Sequence, residues 1–259
     1  MTSTPTSGLR IGHLNVCHLR NKLHDIGVLL HGPPSIQILG LSETHLDARS
    51  SDEALFIPNY NFIRRDKMED LETGIGVYIH QDIAHCTKRR HDLETAGIEC
   101  IWLQVKPSKS SPFLVGHIYR NPDSEIWRWY DDFVKMMDNV YKHKQHVIML
   151  GDFNINILKQ QHAWDATTAL FGLYQHIKTP TRIATRASKS TTTLLDHIYS
   201  NNKDMVSSVS VYNKGISDHC AIVCTWSCTL HKPTNAGHTT IHYRSFKTFD
   251  KNHSFFDLA

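Results

Sequence analysis

The chain has 259 residues, 40% hydrophobic and 20% charged, with 28 Lys+Arg against 25 Asp+Glu for a net charge of +3. That is the balance of a soluble globular protein able to bury a large core, and a single α/β domain reaches this length. The mild positive charge tolerates an anionic partner without announcing one. Six cysteines (Cys17, Cys86, Cys100, Cys220, Cys224 and Cys228) form no CxxC pair, which points to reduced thiols in an intracellular setting rather than a disulfide framework. Residues 1–8 lack an apolar core, so they read as a disordered N-terminal segment and not a secretory leader. No apolar run approaches the ~20 residues that span a bilayer.

In chain order, residues 9–16 predict a strand and 19–30 a helix closed by His31-Gly32-Pro33-Pro34. Residues 36–42 are a continuous apolar run, as in a strand covered on both faces. Strand-like runs follow at 61–64, 76–80, 100–105 and 113–119. Over 124–142 the period changes: Ile126, Tyr130, Phe133, Met137, Val140 and Tyr141 fall three and four apart, one face of a helix with Ser124 as its expected N-cap. Residues 147–150 form another buried strand, 163–176 a helix, and 177–193 a Thr/Ser/Arg/Lys loop. Strands at 194–199, 206–212 and 220–226 close the domain. Many strands with few interleaved helices predict two packed sheets flanked by helices. Residues 9–228 therefore form the domain, and 229–259 read as a linker, with Phe246, Phe249, Phe255, Phe256 and Leu258 beginning an amphipathic segment.

Polar residues stand at six strand ends: Asn15, Glu43, Tyr119, Asp152 with Asn154, Asp196-His197, and Asp218-His219. Singly, each is explained as a turn former, a cap or a satisfied surface histidine. Together they are an oxygen-rich cation site plus an Asp/His pair, the inventory for hydrolysing a phosphate ester.

Their wording is specific. Asn15-Val16, Leu41-Ser42-Glu43-Thr44-His45, Ile118-Tyr119-Arg120-Asn121-Pro122, Gly151-Asp152-Phe153-Asn154, Leu195-Asp196-His197-Ile198 and Ser217-Asp218-His219 occur in the order of the endonuclease/exonuclease/phosphatase superfamily. That superfamily includes pancreatic-type DNase and the apurinic/apyrimidinic endonucleases. The versions here resemble the endonuclease at the front of non-LTR (LINE-type) retrotransposon polyproteins, and the segment 242–250 resembles the connection toward their reverse transcriptase.

The resemblance implies a four-layered α/β sandwich with the site at one end of two packed sheets. It implies a Mg²⁺ (or Mn²⁺) ion on Glu43, with Asn15 assisting and Asp218 contributing. Asp152 would orient and deprotonate the attacking water, Asn154 would bond the phosphate or that water, and Tyr119 would serve a phosphoryl oxygen or the leaving group. His219 would sit against the phosphate, its imidazolium favoured by Asp196, and Arg120 is a weaker phosphate contact. Whether Asp152 or the Asp196/His219 pair is the base stays open. Abasic-site endonucleases typically carry an acid two places after the metal-site Asn, where this chain has Cys17; that weakens a dedicated repair role.

Residues 178–193 carry four cations and no acid, with short hydroxylic side chains between them, which suits phosphate contact and minor-groove entry. In LINE-type endonucleases the corresponding stretch includes a hairpin loop that helps choose the nicking sequence. Arg182, Arg186, Lys189 and Thr193 are the expected DNA contacts, set against an ordinary solvated loop. Arg64-Arg65 and Lys88-Arg89-Arg90 read as exposed strand edges. Cys220, Cys224 and Cys228 sit too far apart along a strand to clasp zinc. Gly74-Ile75-Gly76 lacks the rest of a dinucleotide motif.

The expected activity is nicking of one strand of double-stranded DNA by a monomeric domain, in the nucleus, as part of a chain that continues into a reverse transcriptase. A lipid phosphatase or abasic-site endonuclease on the same scaffold, or a decayed copy that only binds nucleic acid, are the competing readings.

Overall fold

The structure is a computed structural model and describes residues 8–66, 73–186 and 189–230. The segments 1–7 and 231–259, with the expected N-terminal segment and most of the expected linker, lie outside the described residues.

The chain runs through β1 (Leu9–Asn15), α1 (Leu23–His31), β2 (Ile38–Ser42), β3 (Tyr60–Arg65), β4 (Ile75–His80) and α2 (Gln81–Ala84). It continues through β5 (Thr87–Arg89), β6 (Glu99–Val105), β7 (Phe113–Tyr119), α3 (Ile126–Tyr141) and β8 (His146–Asp152). After α4 (His162–Leu170) come β9 (Tyr174–Gln175), β10 (Arg182–Arg186), β11 (Lys189–Thr193), β12 (Asp196–Ser200), β13 (Val206–Tyr212) and β14 (Ala221–Trp226).

Twelve of these strands make two six-stranded mixed sheets, ordered β13-β14-β1-β2-β4-β3 and β5-β6-β7-β8-β12-β9. Each sheet contains one parallel pair, β1 with β2 and β7 with β8, joined across α1 and α3 as parallel strands require. The expected four-layered sandwich follows from three cores. Leu9, Ile11, Ile38, Val77, Val115, Ile148 and Ile222 pack between the sheets. Ile26, Leu29 and Leu30 of α1 cover the first sheet. Phe133, Met137 and Val140 of α3, with Trp164 of α4, cover the second. Among the described residues no helix is long and apolar enough to cross a membrane.

Several local expectations are corrected. The helix expected over 19–30 is a 3-10 turn, Arg20–Lys22, followed by α1. Glu125, not Ser124, caps α3: its carboxylate accepts from the backbone N–H groups of Trp127 and Arg128, while the Ser124 hydroxyl donates to the Asn121 carbonyl. The helix expected over 163–176 ends at Leu170. Gly172 takes a left-handed φ of +57°, and Tyr174–Gln175 pairs with β12 as an edge strand. The basic runs at 64–65 and 88–90 are not simply exposed: Arg89 makes a forked pair with Glu94, and the Arg65 guanidinium donates to backbone carbonyls of Thr95 and Ile98.

Candidate active site

The site arises because the inward faces of neighbouring strands change from apolar to polar at the same end of the sandwich. Along β1, alternation sends Leu9 and Ile11 into the inter-sheet core and places His13 and Asn15, both buried, next in that series. On β7, Phe113 and Val115 are followed by His117 and Tyr119. On β8, Ile148 and Leu150 are followed by Asp152. β12 runs the other way and begins with Asp196 before Ile198. Register completes the alignment: Tyr119 pairs with Asp152, Asp152 with Asp196, and Asn15 with Ser42, the residue before Glu43.

The backbone bends sharply where these strands end. Cys17, His18, Glu43, His45 and Asn154 all have positive φ, a conformation non-glycine residues rarely adopt and one that concentrates at functional sites. At Glu43 it turns the chain off β2, and the Glu43 carbonyl accepts from the His18 N–H at 2.8 Å.

The polar side chains then meet. Asn15 Nδ2 donates to Glu43 Oε1 at 2.7 Å and to Asp152 Oδ2 at 2.9 Å. Tyr119 Oη donates to the same Glu43 oxygen at 3.1 Å. His219 Nδ1 donates to Asp196 Oδ2 at 2.8 Å and lies 3.9 Å from Asp152 Oδ2. Asn15, Tyr119, Asp152, Asp196 and His219 are buried and Glu43 half-buried, so charge is poorly screened here.

Burial, with Asp196 alongside, pushes the Asp152 carboxyl up to about 7, against the pull of His219 and the Asn15 bond. Burial would likewise raise Asp196, but the His219 imidazolium and His13 hold it well below the ordinary carboxylate range. For His219, burial favours the neutral ring, yet Asp196, Asp152 and Asp218 overcome it and raise the group to about 9. Burial, then Glu43 and Asp152, push the Tyr119 phenol far above its usual value, so it remains a donor at neutral pH. Neighbouring groups thus hold different protonation states, the arrangement acid-base chemistry needs.

The remaining candidates divide. Arg120 departs from the expected phosphate contact. It is buried, and its guanidinium donates to the backbone carbonyls of Phe153, Asn154 and Asn121, which straps the loop after β8 to that after β7. Asn154 donates its N–H to Asp152 Oδ1 and its Nδ2 to the Arg120 carbonyl. Asp218 is directed at Arg182, whose Nε lies 2.8 Å from Asp218 Oδ2. β10 and β11 form a separate two-stranded hairpin, anchored beside the site by the Arg182 to His219 bridge and the Ile183 N–H to Asp218 carbonyl bond. Thr193 closes its base, accepting from the Thr181 N–H. Arg186 and Lys189 are partners in its strand register.

Three supporting residues went unpredicted. Thr181 Oγ1 accepts from the backbone N–H groups of Leu195 and Asp196, and Ser217 Oγ donates to the Asn15 carbonyl while accepting from the His219 N–H. His13 lies against Asp196. The Thr181 hydroxyl sits in a Thr/Ser-rich loop that carries no motif, but Ser217, the first residue of the Ser217-Asp218-His219 motif, and a histidine on the apolar face of β1 were readable signals.

A hard divalent cation fits this donor set. Glu43 is half-buried, and its Oε2 takes no hydrogen bond among the described residues, leaving a carboxylate oxygen of the kind Mg²⁺ prefers. Asp152, Asp196 and His219 also offer ligand atoms within 4.8 Å of one another. A cation there would compete with the proton that His219 Nδ1 shares with Asp196, so Glu43 is the better anchor.

A two-sheet sandwich with carboxylates, an imidazole and amides at one end defines a phosphoesterase. The chain belongs to the Endonuclease/Exonuclease/phosphatase family, whose sequence pattern matches residues 12–219. The fold is similar to that of the endonuclease domain of TRAS1, a telomere-specific non-LTR retrotransposon, at 15% identity and TM-score 0.66, covering 85% of this chain and 99% of that one. A 3'-5' exonuclease from Neisseria meningitidis matches at 16% identity and TM-score 0.66 over 85% and 100% of the two chains. An AP endonuclease from Leishmania major matches at 14% and 0.69 over 87% and 90%. No curated protein sequence matches the chain.

Proposed function

We propose that the chain is a divalent-metal-dependent DNA endonuclease that hydrolyses a phosphodiester and nicks one strand of duplex DNA. The observation that carries this reading is the convergence of two sets, Asn15, Glu43, Tyr119 and Asp152 on one side and Asp196 with His219 on the other, each joined by bonds of 2.7–3.1 Å and meeting where His219 Nδ1 lies 3.9 Å from Asp152 Oδ2, although the chain separates them widely. The transition state of phosphodiester hydrolysis gathers negative charge on non-bridging oxygens, and an imidazolium, a phenol and a cation are the groups that stabilise it.

Glu43 would hold Mg²⁺ or Mn²⁺, with Asn15 orienting the carboxylate; when bound, the ion would supply charge neutralisation at the phosphate. Asp152 takes a proton from the attacking water, for which a carboxyl near 7 is well matched. Asn154 assists on the water side: its Nδ2 is committed to the Arg120 carbonyl, which leaves Oδ1, an acceptor suited to a water hydrogen rather than a phosphate oxygen. His219, kept protonated by Asp196, donates to a non-bridging oxygen. Tyr119 donates to the phosphoryl group or the leaving oxygen. Arg182 in the hairpin contacts the backbone of the DNA, with Arg186, Lys189 and Thr193 as further contacts. Asp218 steers Arg182, to which its carboxylate is committed.

The likeness to the TRAS1 domain and the order of the six motifs support a retrotransposon role. In that role the nick leaves a 3'-OH that primes reverse transcription by a fused reverse transcriptase, at chromosomal DNA in the nucleus. Mapped cleavage of supercoiled plasmid tests the reading. Mg²⁺ should yield open circles with a free 3'-OH, and EDTA should abolish them. Intact plasmid left uncut while an abasic site or an inositol phospholipid is hydrolysed would transfer the assignment to those substrates.

A further inference from the structure

The Asp196 carboxylate has two oxygens and a visible hydrogen-bond partner for only one. Oδ2 accepts from His219 Nδ1 at 2.8 Å. Oδ1, fully enclosed, takes no hydrogen bond among the described residues and faces His13 Nε2 across 3.5 Å. His13 is itself sealed in the interior, with neither ring nitrogen hydrogen-bonded among the described residues. A buried imidazole without a partner costs stability, and the position does not need one for packing: Leu9 and Ile11, on the same face of β1, are plain hydrocarbon.

Nor is there slack around the ring. His117 lies behind it on the inter-sheet face, where burial and His13 push its imidazole down to about 3 and so keep it neutral. His117 fits because β2 has glycine opposite: a Cβ on Gly40 would stand 1.8 Å from His117 Nδ1. Gly40 of β2 thus makes room for His117 of β7, and His13 of β1 is left facing a carboxylate that must point one way.

We propose that His13 is the positioning residue for Asp196, its Nε2–H holding Oδ1 so that Oδ2 stays on His219 Nδ1. Thr181 Oγ1 fixes the backbone of Asp196, His13 fixes the rotation of its carboxylate, and that rotation decides which way the His219 ring presents Nε2. His13 touches no reacting atom and acts through Asp196 and His219. The consequence for catalysis rests on the endonuclease reading, whereas the consequence for His219 does not.

His13→Leu and His13→Gln test it, Gln offering an N–H donor at about the reach of Nε2. The readouts are nicking kinetics on supercoiled plasmid and the low-field proton NMR signal of His219 Nδ1–H, assigned by its loss in His219→Ala. His13→Leu should lower kcat by about tenfold or more with KM for DNA unchanged, the scale on which supporting partners of site residues act, and should shift or broaden the signal. His13→Gln should restore most of both. His13→Leu with wild-type kcat and an unmoved signal overturns the proposal, as do two equally impaired variants with the signal unmoved. Should His13→Leu fail to fold, His13→Gln decides alone: a retained signal and rate support the assignment, and a lost signal refutes it. The signal is read without DNA or metal. A wild-type protein that leaves plasmid uncut therefore sinks the nuclease reading and leaves the positioning question answerable.

Discussion

In the proposed mechanism Asp152 and His219 divide the labour by protonation. With Asp152 near 7 and His219 near 9, nicking should rise with pH as the Asp152 carboxyl loses its proton and fall as the His219 imidazolium loses its own. The rate should peak between those values in a bell-shaped profile of kcat/KM. A rate that climbs steadily beyond pH 10 would remove the imidazolium from the mechanism. Asp152→Ala and His219→Ala should each lower nicking by about 10²- to 10⁴-fold, with the folded circular-dichroism spectrum retained; Asp152→Ala at wild-type rate would refute the site. Residues carrying a family motif were legible without coordinates, since Asn15, Glu43, Tyr119, Asp152, Asp196 and His219 all stand at strand ends. Arg120 was not, because a cation within a conserved-looking motif reads as a phosphate ligand until its donors are seen on the Phe153, Asn154 and Asn121 carbonyls. Thr181 escaped because its partner lies 15 positions away in a loop without a motif; His13 stood out as a polar residue on an apolar face, but its partner, 183 positions away, is encoded by no local pattern.

Among the elements, strands covered on both faces were the easiest to read. Phe113–Tyr119 and the edge strand Val206–Tyr212 match their expected bounds, and the other expected strands shift by one or two residues. Element ends set by side-chain capping or by glycine were harder. Both Ser124 and Glu125 are able to cap a helix, and only geometry shows Glu125 doing so. Leu173 and the residues after it continue an apolar rhythm that the left-handed Gly172 has already broken. The stretch expected as a loop is largely the β10–β11 hairpin, whose strands, among the described residues, pair with each other and touch the sheets only at the hairpin's base. That isolation makes it separable. Replacing residues 184–191 with a two-residue turn should leave the melting temperature nearly unchanged, weaken DNA binding, and flatten the slope of log K against log salt. Unaltered affinity and slope would mean that the hairpin is a solvated ornament and that DNA lies elsewhere.

For the whole molecule, the site depends on holding strands at fixed spacing, since Tyr119 and Asp152 reach it from adjacent β7 and β8. Gly151 sits at that junction. A Cβ there would lie 1.8 Å from the Ile118 carbonyl oxygen and 2.7 Å from its carbon; these are backbone atoms, so the strands themselves must part. Gly151→Ala should cost about 1–3 kcal/mol, lowering the melting temperature by roughly 2–4 °C per kcal/mol in a protein of this size. Gly172→Ala provides the contrast. Among the described residues nothing lies within 4 Å of an added Cβ, but its φ of +57° strains any other residue by about 1 kcal/mol, far from the chemistry. Both variants should melt earlier, yet only Gly151→Ala should lose kcat when assayed well below its melting temperature, because only there does the strain separate Tyr119 from Asp152. If the two lose stability and keep wild-type kcat alike, catalysis tolerates a shifted β7–β8 spacing, and the alignment of strand ends is not what assembles the site.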